Sequence, residues 1–502
     1  SYTISVTQVN DEPTLTASAA GGTFTEDGSN VVLFTSADAA DGDSQVAQTW
    51  KTLVFTVTNV VDTTESIVVD GSTQALTNGA STANTATNAA AVSVSVTGTT
   101  ATVTVTPDAG SLTDTELEAM INALAYTNSD QSPTAGNRII TITTLQDEGG
   151  TTDSGDDSVT VTLAATVTVA AQNDAPVIAD SDDTGSVTEA STGTTDTATD
   201  TMTVTDADGD AVTWTCTNCA SSGGTSTLTG TYGSWSMTES SGAWTYTLSN
   251  SDTDTDALDG GDAVTETLTM VASDGTTTAS HDVVVTVNGD DDAPTTSTPS
   301  TQAGVEDTTF TGYAVSDFPF ADVDTDDSAL VSITITVVES SGDLEKSTDG
   351  SSWTDVSAND VILNAHIQHL RLAPASDAVV DITFTYKVND GTQSSNAAVM
   401  TTSFSNTNDA PTVANAQANF NQAEDAALDY DFAANTFTDA DSGDSCTYTS
   451  TQTDGSALPG WLTFTANDRN YAGTPLNAHV GALNVRTTCT DGSGSAVYDD
   501  FT

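Results

Sequence analysis

Asn173-Asp174-Ala175-Pro176 closes one run of alternating β residues and opens the next, and this pattern divides the chain. Similar tetrads are Asn10-Asp11-Glu12-Pro13, Asp291-Asp292-Ala293-Pro294 and Asn408-Asp409-Ala410-Pro411. Proline has a fixed φ and no N–H donor, and Asn and Asp favour turns, so such a tetrad suits a domain boundary. The prolines are 163, 118 and 117 residues apart, which is too long for a solenoid repeat. The sequence therefore predicts a string of domains, each with its own core.

The stretches between the tetrads predict β-strands. Val92, Val94 and Val96 alternate with polar residues, and a turn at Gly98 leads into a second alternating run, which is typical of a hairpin. One exception lies within residues 112–128, where apolar residues recur at helical spacing and predict a short helix. The fold class is therefore all-β. This patterning also argues against a disordered acidic chain.

The charge of the chain limits its partners. Seven Lys and Arg residues face 71 Asp and Glu residues among 502, giving a net charge of −64. Such a field repels nucleic acid and anionic membranes, and its natural counterparts are metal cations or screening salt. No stretch approaches the roughly 20 apolar residues that span a bilayer, so we expect no membrane span in this segment.

The tetrads give five predicted parts. These are an orphan last strand of a preceding or neighbouring domain at 1–9, a domain with a short helix at 10–172, and domains at 173–289, 290–407 and 408–502. The last domain is predicted to lack its final strand.

The four cysteines predict disulfides rather than a metal site. Cys446 and Cys489 lie on two predicted strands of one domain, which favours a disulfide between them. Cys216 and Cys219 form a C-x-x-C on a β run, without the second ligand pair that zinc needs. We favour a small disulfide loop there over free thiols, which indicates an extracytoplasmic protein.

Two stretches resemble known families. The run from Thr231-Tyr232-Gly233 to Trp244-Thr245-Tyr246-Thr247-Leu248, with Asp274-Gly275, resembles the VCBS repeat of bacterial and archaeal surface proteins. Asp454-Gly455-Ser456-Ala457-Leu458-Pro459-Gly460-Trp461-Leu462, with Gly473-Thr474-Pro475 and Asp491-Gly492, resembles a dystroglycan-type cadherin-like domain. The domains at 10–172 and 290–407 resemble the bacterial cadherin-like domains of large adhesins. The resemblance implies tandem Ig-like or cadherin-like β-sandwiches in an extended rod, outside a bacterial or archaeal cell, with calcium at the joints.

Acidic residues gather in the same order around each boundary. Ca²⁺ takes six to eight oxygen ligands from adjustable loops, and clustered carboxylates repel one another unless a cation lies among them. In cadherin-like proteins a Glu, a D-x-D pair, the boundary Asn-Asp and a late Asp surround shared ions, and we carry this pattern to the matching positions only. The candidates, boundary by boundary, are Asp11, Glu26, Asp27, Asp38, Asp41 and Asp43; Asn173, Asp174, Glu189, Asp206, Asp208, Asp210 and Asp274; Asp291, Asp292, Glu306, Asp307, Asp322, Asp324, Asp326 and Asp390; and Asn408, Asp409, Glu424, Asp425, Asp439, Asp441, Asp444 and Asp491.

The site pattern is neither an EF-hand nor an enzyme motif. In the run Asp206-Ala207-Asp208-Gly209-Asp210, glycine is at position 4 instead of 6, and position 12 is Thr217 instead of Glu. The four histidines are scattered, and no nucleophile-elbow, H-E-x-x-H or phosphate-loop motif occurs. We therefore expect no enzyme activity, and instead a calcium-stiffened structural segment of an extracellular surface protein or filament.

Two alternatives stay open from the sequence. The first is a ligand-binding or glycan-binding adhesin module, whose best support is an exposed aromatic platform around Trp235 and Trp244. The second concerns residues 1–9: either the sequence is a section of a longer tandem protein, or residues 1–9 complete the 408–502 domain of a neighbouring copy. Tyr2, Ile4 and Val6 stand at the same distances before Pro13 as Val283, Val285 and Val287 stand before Pro294. Tyr2 and Phe501 would compete for one position, which weakens a seamless join.

Overall fold

The computed structural model describes residues 2–43, 49–108, 112–179, 183–190 and 195–502. Its chain divides into two compact units. The first comprises Ser1–Val187, Asp196–Leu248 and Thr265–Thr286, and the second comprises Thr188–Thr195, Ser249–Val264 and Val287–Thr502. Both consist mainly of β-sheet, which confirms the all-β fold class. The part of the chain that the structure describes has no helix that is long and apolar enough to cross a membrane.

Residues 14–170 form three sheets around one core. In sheet order, their strands are Gly22–Thr25, Ser158–Ala170, Gly136–Asp147, Trp50–Thr58, Thr100–Thr106, Ala91–Thr97 and Ser81–Thr82; Val31–Val32, Ala125–Asn128, Glu65–Val69 and Ser72–Ala75; and Thr14–Ala19 with Phe34–Ala40. Alternate residues of Trp50–Thr58 are buried, as expected for a strand with one face on the core. The expected helix is confirmed at Asp114–Asn122, and Leu117, Met120 and Ile121 bury its inner face. A 3₁₀ turn lies at Thr152–Ser154.

Residues 177–288 form a second set of sheets. In order, the strands are Val177–Ile178 with Val204–Thr205; Thr184–Thr188, Thr278–Asn288, Ala263–Ser273 and Thr213–Cys216; and Thr197–Thr201, Ala243–Leu248, Gly233–Thr238, Thr225–Thr229 and Ala220–Ser222. Trp214, Trp235 and Trp244 are each only 2% exposed. Trp235 packs against Trp244 and Tyr246, with ring centroids 5.8 and 4.8 Å away. The aromatic cluster is therefore core, and the glycan platform loses its support.

Residues 302–405 form two sheets and residues 412–501 form three. The first pair contains Gln302–Val305, Ala398–Ser405, Asp381–Asn389, Ser332–Val337 and Val361–Leu363; and Thr354–Asp355, Asp343–Lys346 and Leu370–Ala373. The other three contain Thr412–Val413 with Phe437–Thr438; Leu428–Asp431, Asn470–Gly473 and Leu462–Thr465; and Thr447–Gln452, Val485–Thr490 and Ala496–Phe501. Further 3₁₀ turns lie at Val315–Asp317, Asn364–His369 and Asn477–His479.

A parallel pair of strands recurs in two of these sheets. Gly22–Thr25 lies parallel to Val167–Ala170, and Gln302–Val305 lies parallel to Thr402–Ser405. The pairing brings a short early strand beside the last strand, which leads to the next tetrad. It therefore carries residues just after the early strand towards that tetrad.

Both predicted disulfides are present, joining Cys216 to Cys219 and Cys446 to Cys489. Tyr2–Val9 form no strand in the single chain, so the orphan last strand at residues 1–9 stays a prediction. Tyr2, Ile4 and Val6 point into solvent, with exposures of 103%, 86% and 90%. Among the described residues, no partner strand supplies the hydrogen bonds that a strand needs.

Candidate metal centres at the chain boundaries

The same hydrogen bonds recur between the three later tetrads and their D-x-D pairs. The backbone N–H of the tetrad Asp donates to the second Asp of the pair, from Asp174 to Asp208, Asp292 to Asp324 and Asp409 to Asp441, over 2.7, 2.8 and 2.8 Å. The N–H of that second Asp donates to the first, namely Asp206, Asp322 and Asp439, over 3.1, 3.3 and 2.9 Å. Asp43 makes the equivalent bond to Asp41, over 3.1 Å. These hydrogen bonds use one oxygen of each acceptor carboxylate and hold the carboxylates close together.

The tetrad asparagine is tied to a late aspartate. The side-chain amide of Asn173 donates to Asp274 over 2.9 Å, and that of Asn408 donates to Asp491 over 3.0 Å. At the third boundary the Thr392 hydroxyl bonds to both Asp291 and Asp390. Three backbone N–H groups that follow Asp491 also donate to its carboxylate. The late aspartate therefore anchors the tetrad to a tight turn.

At the first boundary the late aspartate is Asp147, which the sequence analysis missed. Asn10 donates to its carboxylate over 3.1 Å. Burial raises the pKa of Asp147, and burial together with the charges of Asp43, Asp147 and Asp11 raises the pKa of Asp41. The stretch Asp147-Glu148-Gly149-Gly150 resembles the later Asp-Gly turns, and this sequence pattern could have identified Asp147.

The glutamates were assigned to the wrong boundaries. Glu26 accepts from the N–H of Gln172 over 2.8 Å, and burial, followed by the charges of Asp174 and Asp208, raises its pKa. Glu26 and Glu306 directly follow an early strand, and the parallel pairing delivers each of them to the next tetrad, not to the one before it. The same shift applies to Glu189, which joins Asp292, and to Glu306, which joins Asp409.

Several carboxylates come close enough to share a cation. In each group, one oxygen per residue lies within 4.8 Å of the others. The groups are Glu189, Asp256 and Asp292; Asp259, Asp291, Asp324 and Asp327; Glu306, Asp409 and Asp441; Asp307, Asp377 and Asp409; and Asp439, Asp441 and Asp444. Asp256, Asp259, Asp327 and Asp377 were not among the predicted residues. Loops about 30 residues from the tetrads bring Asp256, Asp259 and Asp377 to these groups, whereas Asp327 lies three residues after Asp324.

Other predicted residues lie elsewhere. Asp27 accepts a bond from Gln131 over 2.9 Å, and Asp210 is exposed beside Asp206. Among the described residues, Asp38, Asp326, Glu424 and Asp425 take part neither in the boundary hydrogen bonds nor in these groups.

Buried oxygens without partners fit a cation. Within the described ranges, eight boundary residues each have one carboxylate oxygen without a hydrogen-bond partner. They are the first Asp of three D-x-D pairs, two tetrad residues, and one glutamate, one second Asp and one late Asp, namely Asp41, Asp206 and Asp322; Asp174 and Asp409; and Glu26, Asp324 and Asp390. A buried, unpaired carboxylate oxygen is costly, and a metal ion is one of the few groups that satisfies it. All of these ligand atoms are hard oxygens, which suits Ca²⁺ and does not suit zinc. The donor set therefore fits calcium.

The electrostatics of the third boundary agree with this fit. Burial, followed by the charges of Asp292 and Asp256, raises the pKa of Glu189 to about 7. Burial and the charge of Asp292 also raise the pKa of Asp324 to about 6. Like charges and desolvation disfavour the ionised forms, and a bound cation would reverse that preference.

We expect the metal-free chain to gain stability when the pH falls from 7.5 to 5.5. Glu189 and Asp324 bind protons more tightly in the folded chain than in the unfolded chain, so folding is favoured below their folded pKa values and loses that contribution as the pH rises through them. Thermal melting in chelator at both pH values measures this. A melting temperature that falls towards pH 5.5 would contradict it.

Two family models match parts of the chain. A bacterial cadherin-like domain matches residues 173–289, and a domain described as "Putative Ig domain" matches residues 410–502. The matches do not specifically identify the VCBS or dystroglycan-type repeats that those stretches resemble. No curated protein matches the chain significantly.

Solved structures of cadherins are similar at low identity. Protocadherin gamma B2 cadherin domains 1–5 are 13% identical with a TM-score of 0.44, covering 98% of this chain and 86% of that one. The extracellular domain of protocadherin gamma B4 is 12% identical with a TM-score of 0.39, covering 99% and 68%. Mouse cadherin-23 EC22–24 is 11% identical with a TM-score of 0.34, covering 79% and 100%. The sheets and the two family models together define a protein of tandem all-β domains with cadherin-like and Ig-like regions.

Proposed function

We propose that this chain is a structural, calcium-stiffened segment of an extracellular surface protein or filament. The carrying observation is the recurring boundary cluster, in which buried carboxylate oxygens lack partners at equivalent positions. The disulfides and the cadherin-like and Ig-like matches support an extracytoplasmic adhesion or structural role. A bacterial or archaeal cell surface and a non-catalytic role belong to the same proposal.

The proposal assigns four modules, at 10–172, 173–289, 290–407 and 408–502. Each tetrad proline is buried, which suits a fixed turn between one sheet system and the next. Calcium at a boundary would draw ligands from the glutamate before it, the tetrad itself and the D-x-D pair after it. The ion would thus cross-link three stretches of chain that are far apart in sequence.

The stabilisation per site follows from linkage. If a site has a dissociation constant of roughly 10⁻⁴ M and calcium is near 10⁻² M, binding stabilises the folded joint by about 2.7 kcal/mol.

Removing calcium with a chelator should lower the melting temperature of the chain and shorten its maximum dimension, as measured by small-angle X-ray scattering. Unchanged melting and unchanged dimension in chelator would overturn the proposal.

A single variant separates calcium binding from general charge effects. Asp324→Asn removes a carboxylate whose pKa is raised in the folded chain, which means that its charge is destabilising without metal. The variant should therefore be at least as stable as the wild type in chelator, and less stable than the wild type in calcium. Asp355→Asn is the matched control, because Asp355 is exposed and lies outside the carboxylate groups of the described residues. Equal responses of the two variants to calcium would contradict a site at Asp324.

A ligand-binding or glycan-binding adhesin module remains the alternative. The buried tryptophans of residues 213–248 give it no support. The partners that we favour are other copies or further repeats of the same protein.

A further inference from the structure

A last strand precedes each of the three later tetrads and fills a core. The residues 11, 9 and 7 positions before each tetrad proline are all buried, namely Ala165, Val167 and Val169; Val283, Val285 and Val287; and Met400, Thr402 and Phe404. Tyr2, Ile4 and Val6 hold the same positions before Pro13, but they are almost fully exposed. The segment therefore has the sequence of a core-filling last strand, but the part of the chain that the structure describes leaves it uncovered.

The domain at 410–502 contains a groove where its last strand would lie. Its volume is about 780 Å³, and its wall includes Phe420, Leu428, Tyr471, Val485 and Phe501. The strand Ala496–Phe501 forms the edge of its sheet in the described structure. A groove with a partly apolar wall beside an unpaired strand edge is a surface that accepts a further strand.

Equivalent pairs show which last-strand positions the residues up to Thr502 hold. Phe384 and Val485 each lie six residues before a late aspartate, and they pair with Met400 and Phe501 respectively. Phe501 therefore holds the position of Met400, which is 11 residues before Pro411. The positions equivalent to Thr402–Ser405, which pair in parallel with Gln302–Val305, would follow Thr502.

Residues 420–423 hold the position of the early strand in the parallel pair. The four residues before Glu26 and before Glu306 form the early strands, and residues 420–423 hold the same position before Glu424. The N–H of Phe420 donates to the carbonyl of Thr502 over 3.1 Å, which begins such a ladder. Residues 420–423 themselves form no strand in the single chain.

We propose that Ile4–Val9 of a second copy of this chain enters the groove and continues the sheet beyond Thr502. The matching positions place Ile4, Ser5, Val6 and Thr7 beside residues 420–423 in parallel. Ser1–Thr3 stay outside, because Phe501 and Thr502 already hold the positions of Tyr2 and Thr3. Residues 1–9 carry no charged side chain, so this segment approaches a strongly acidic partner without local repulsion.

Glu424 provides two specific contacts for the incoming strand. The N–H groups of Glu26, Glu189 and Glu306 donate to the carbonyls of Ala170, Asn288 and Ser405, over 3.1, 2.8 and 3.1 Å. Their carboxylates accept from the N–H groups of Gln172, Asp290 and Thr407. The matching partners for Glu424 are the carbonyl of Thr7 and the N–H of Val9. Glu26, Glu189 and Glu306 are buried, whereas Glu424 is exposed and would become buried on docking.

This inference names the partner of the proposed filament, and it rests on that function only for its biological setting. The test uses sedimentation velocity of the full chain over a range of concentrations, in calcium and in chelator. We expect assemblies that grow with concentration. Ile4→Asp/Val6→Asp should reduce them to the 51.0 kDa monomer, whereas the control Ser5→Asp/Thr7→Asp, with equal added charge on the other face of the docked strand, should still assemble.

A mixing experiment identifies the groove itself. Gln422→Pro removes the backbone donor that lies between those of Phe420 and Glu424 on the groove wall, at a position outside any strand, so it should block acceptance without unfolding the domain. Gln422→Pro alone and Ile4→Asp/Val6→Asp alone should both stay monomeric, and their mixture should give a one-to-one dimer. An excess of a peptide with the sequence of residues 1–9 should dissolve the wild-type assemblies.

Three results would overturn the inference: a wild-type chain that stays monomeric at all concentrations, assembly that survives Ile4→Asp/Val6→Asp, or assembly that the peptide leaves intact. The first would leave the groove to residues that follow Thr502 in a longer chain. Failure of calcium to change melting, with assembly intact, would instead contradict the proposed stiffening and not the strand exchange.

Discussion

Replacing Arg138 by Met is expected to lower the free energy of unfolding of residues 14–170 by about 3–5 kcal/mol. Arg138 is 2% exposed and donates to both carboxylate oxygens of Glu65, over 2.9 and 3.0 Å, and to Asp62 over 3.3 Å. Tyr126 also donates to Glu65, which is fully buried. The variant would leave the Glu65 carboxylate in the core without its cation, and that uncompensated charge causes most of the loss.

Native-state hydrogen exchange of the strands Trp50–Thr58 and Gly136–Asp147 measures this loss locally, without assuming that the whole chain unfolds together. Lys346→Met is the matched control, since Lys346 and Asp360 form a half-exposed ion pair that contributes about 0–1 kcal/mol. Adding Glu65→Gln to the Arg138 variant should recover part of the loss because it removes the unpaired charge. Equal effects of Arg138→Met and Lys346→Met would contradict the prediction.

Removing the disulfide between Cys446 and Cys489 by Cys446→Ala/Cys489→Ala is expected to cost the 410–502 domain about 4 kcal/mol. The two cysteines are 43 residues apart, and loop-closure entropy gives this value for a loop of that length. Cys489 is also fully buried and belongs to the core of this domain. The change in the free energy of unfolding is measured by chemical denaturation, with hydrogen exchange of the strand Val485–Thr490 as the local probe.

The second disulfide provides the control. Cys216 and Cys219 are three residues apart, and the same relation gives about 2 kcal/mol for so short a loop. Cys216→Ala/Cys219→Ala should therefore cost about half as much, in the part of the chain that contains it. If the short loop proved as costly as the long one, loop entropy would not be the reason for either effect.

The predictions that succeeded depended on residues close together in sequence. Alternating valines predicted strands, helical spacing around Leu117 and Met120 predicted the helix, and each tetrad Asp lies near a D-x-D pair because a short strand pairing joins them. The C-x-x-C predicted its own disulfide for the same reason.

The predictions that failed depended on chain crossings. Glu189 was assigned to the tetrad before it because that tetrad is nearer in sequence, but the strand pairing carries this glutamate to the tetrad about 100 residues later. Asp256 and Asp259 come from a loop whose spacing to the boundary has no repeating signature. Trp235 and Trp244 were ambiguous, because an alternating aromatic strand looks the same whether its ring-bearing face meets a core or a ligand.

The parallel pairing of early and last strands has a mechanical consequence. Gly22–Thr25 and Val167–Ala170 run side by side in one direction, as do Gln302–Val305 and Thr402–Ser405. Tension applied through the two ends of such a domain pulls these neighbours lengthwise past each other, so the hydrogen bonds between them are loaded in shear and must break together rather than one by one. Unfolding under force is governed by the unfolding rate. The parallel pairing of the early and last strands should therefore raise the force needed to unfold the domain along the chain axis without any change in its equilibrium stability.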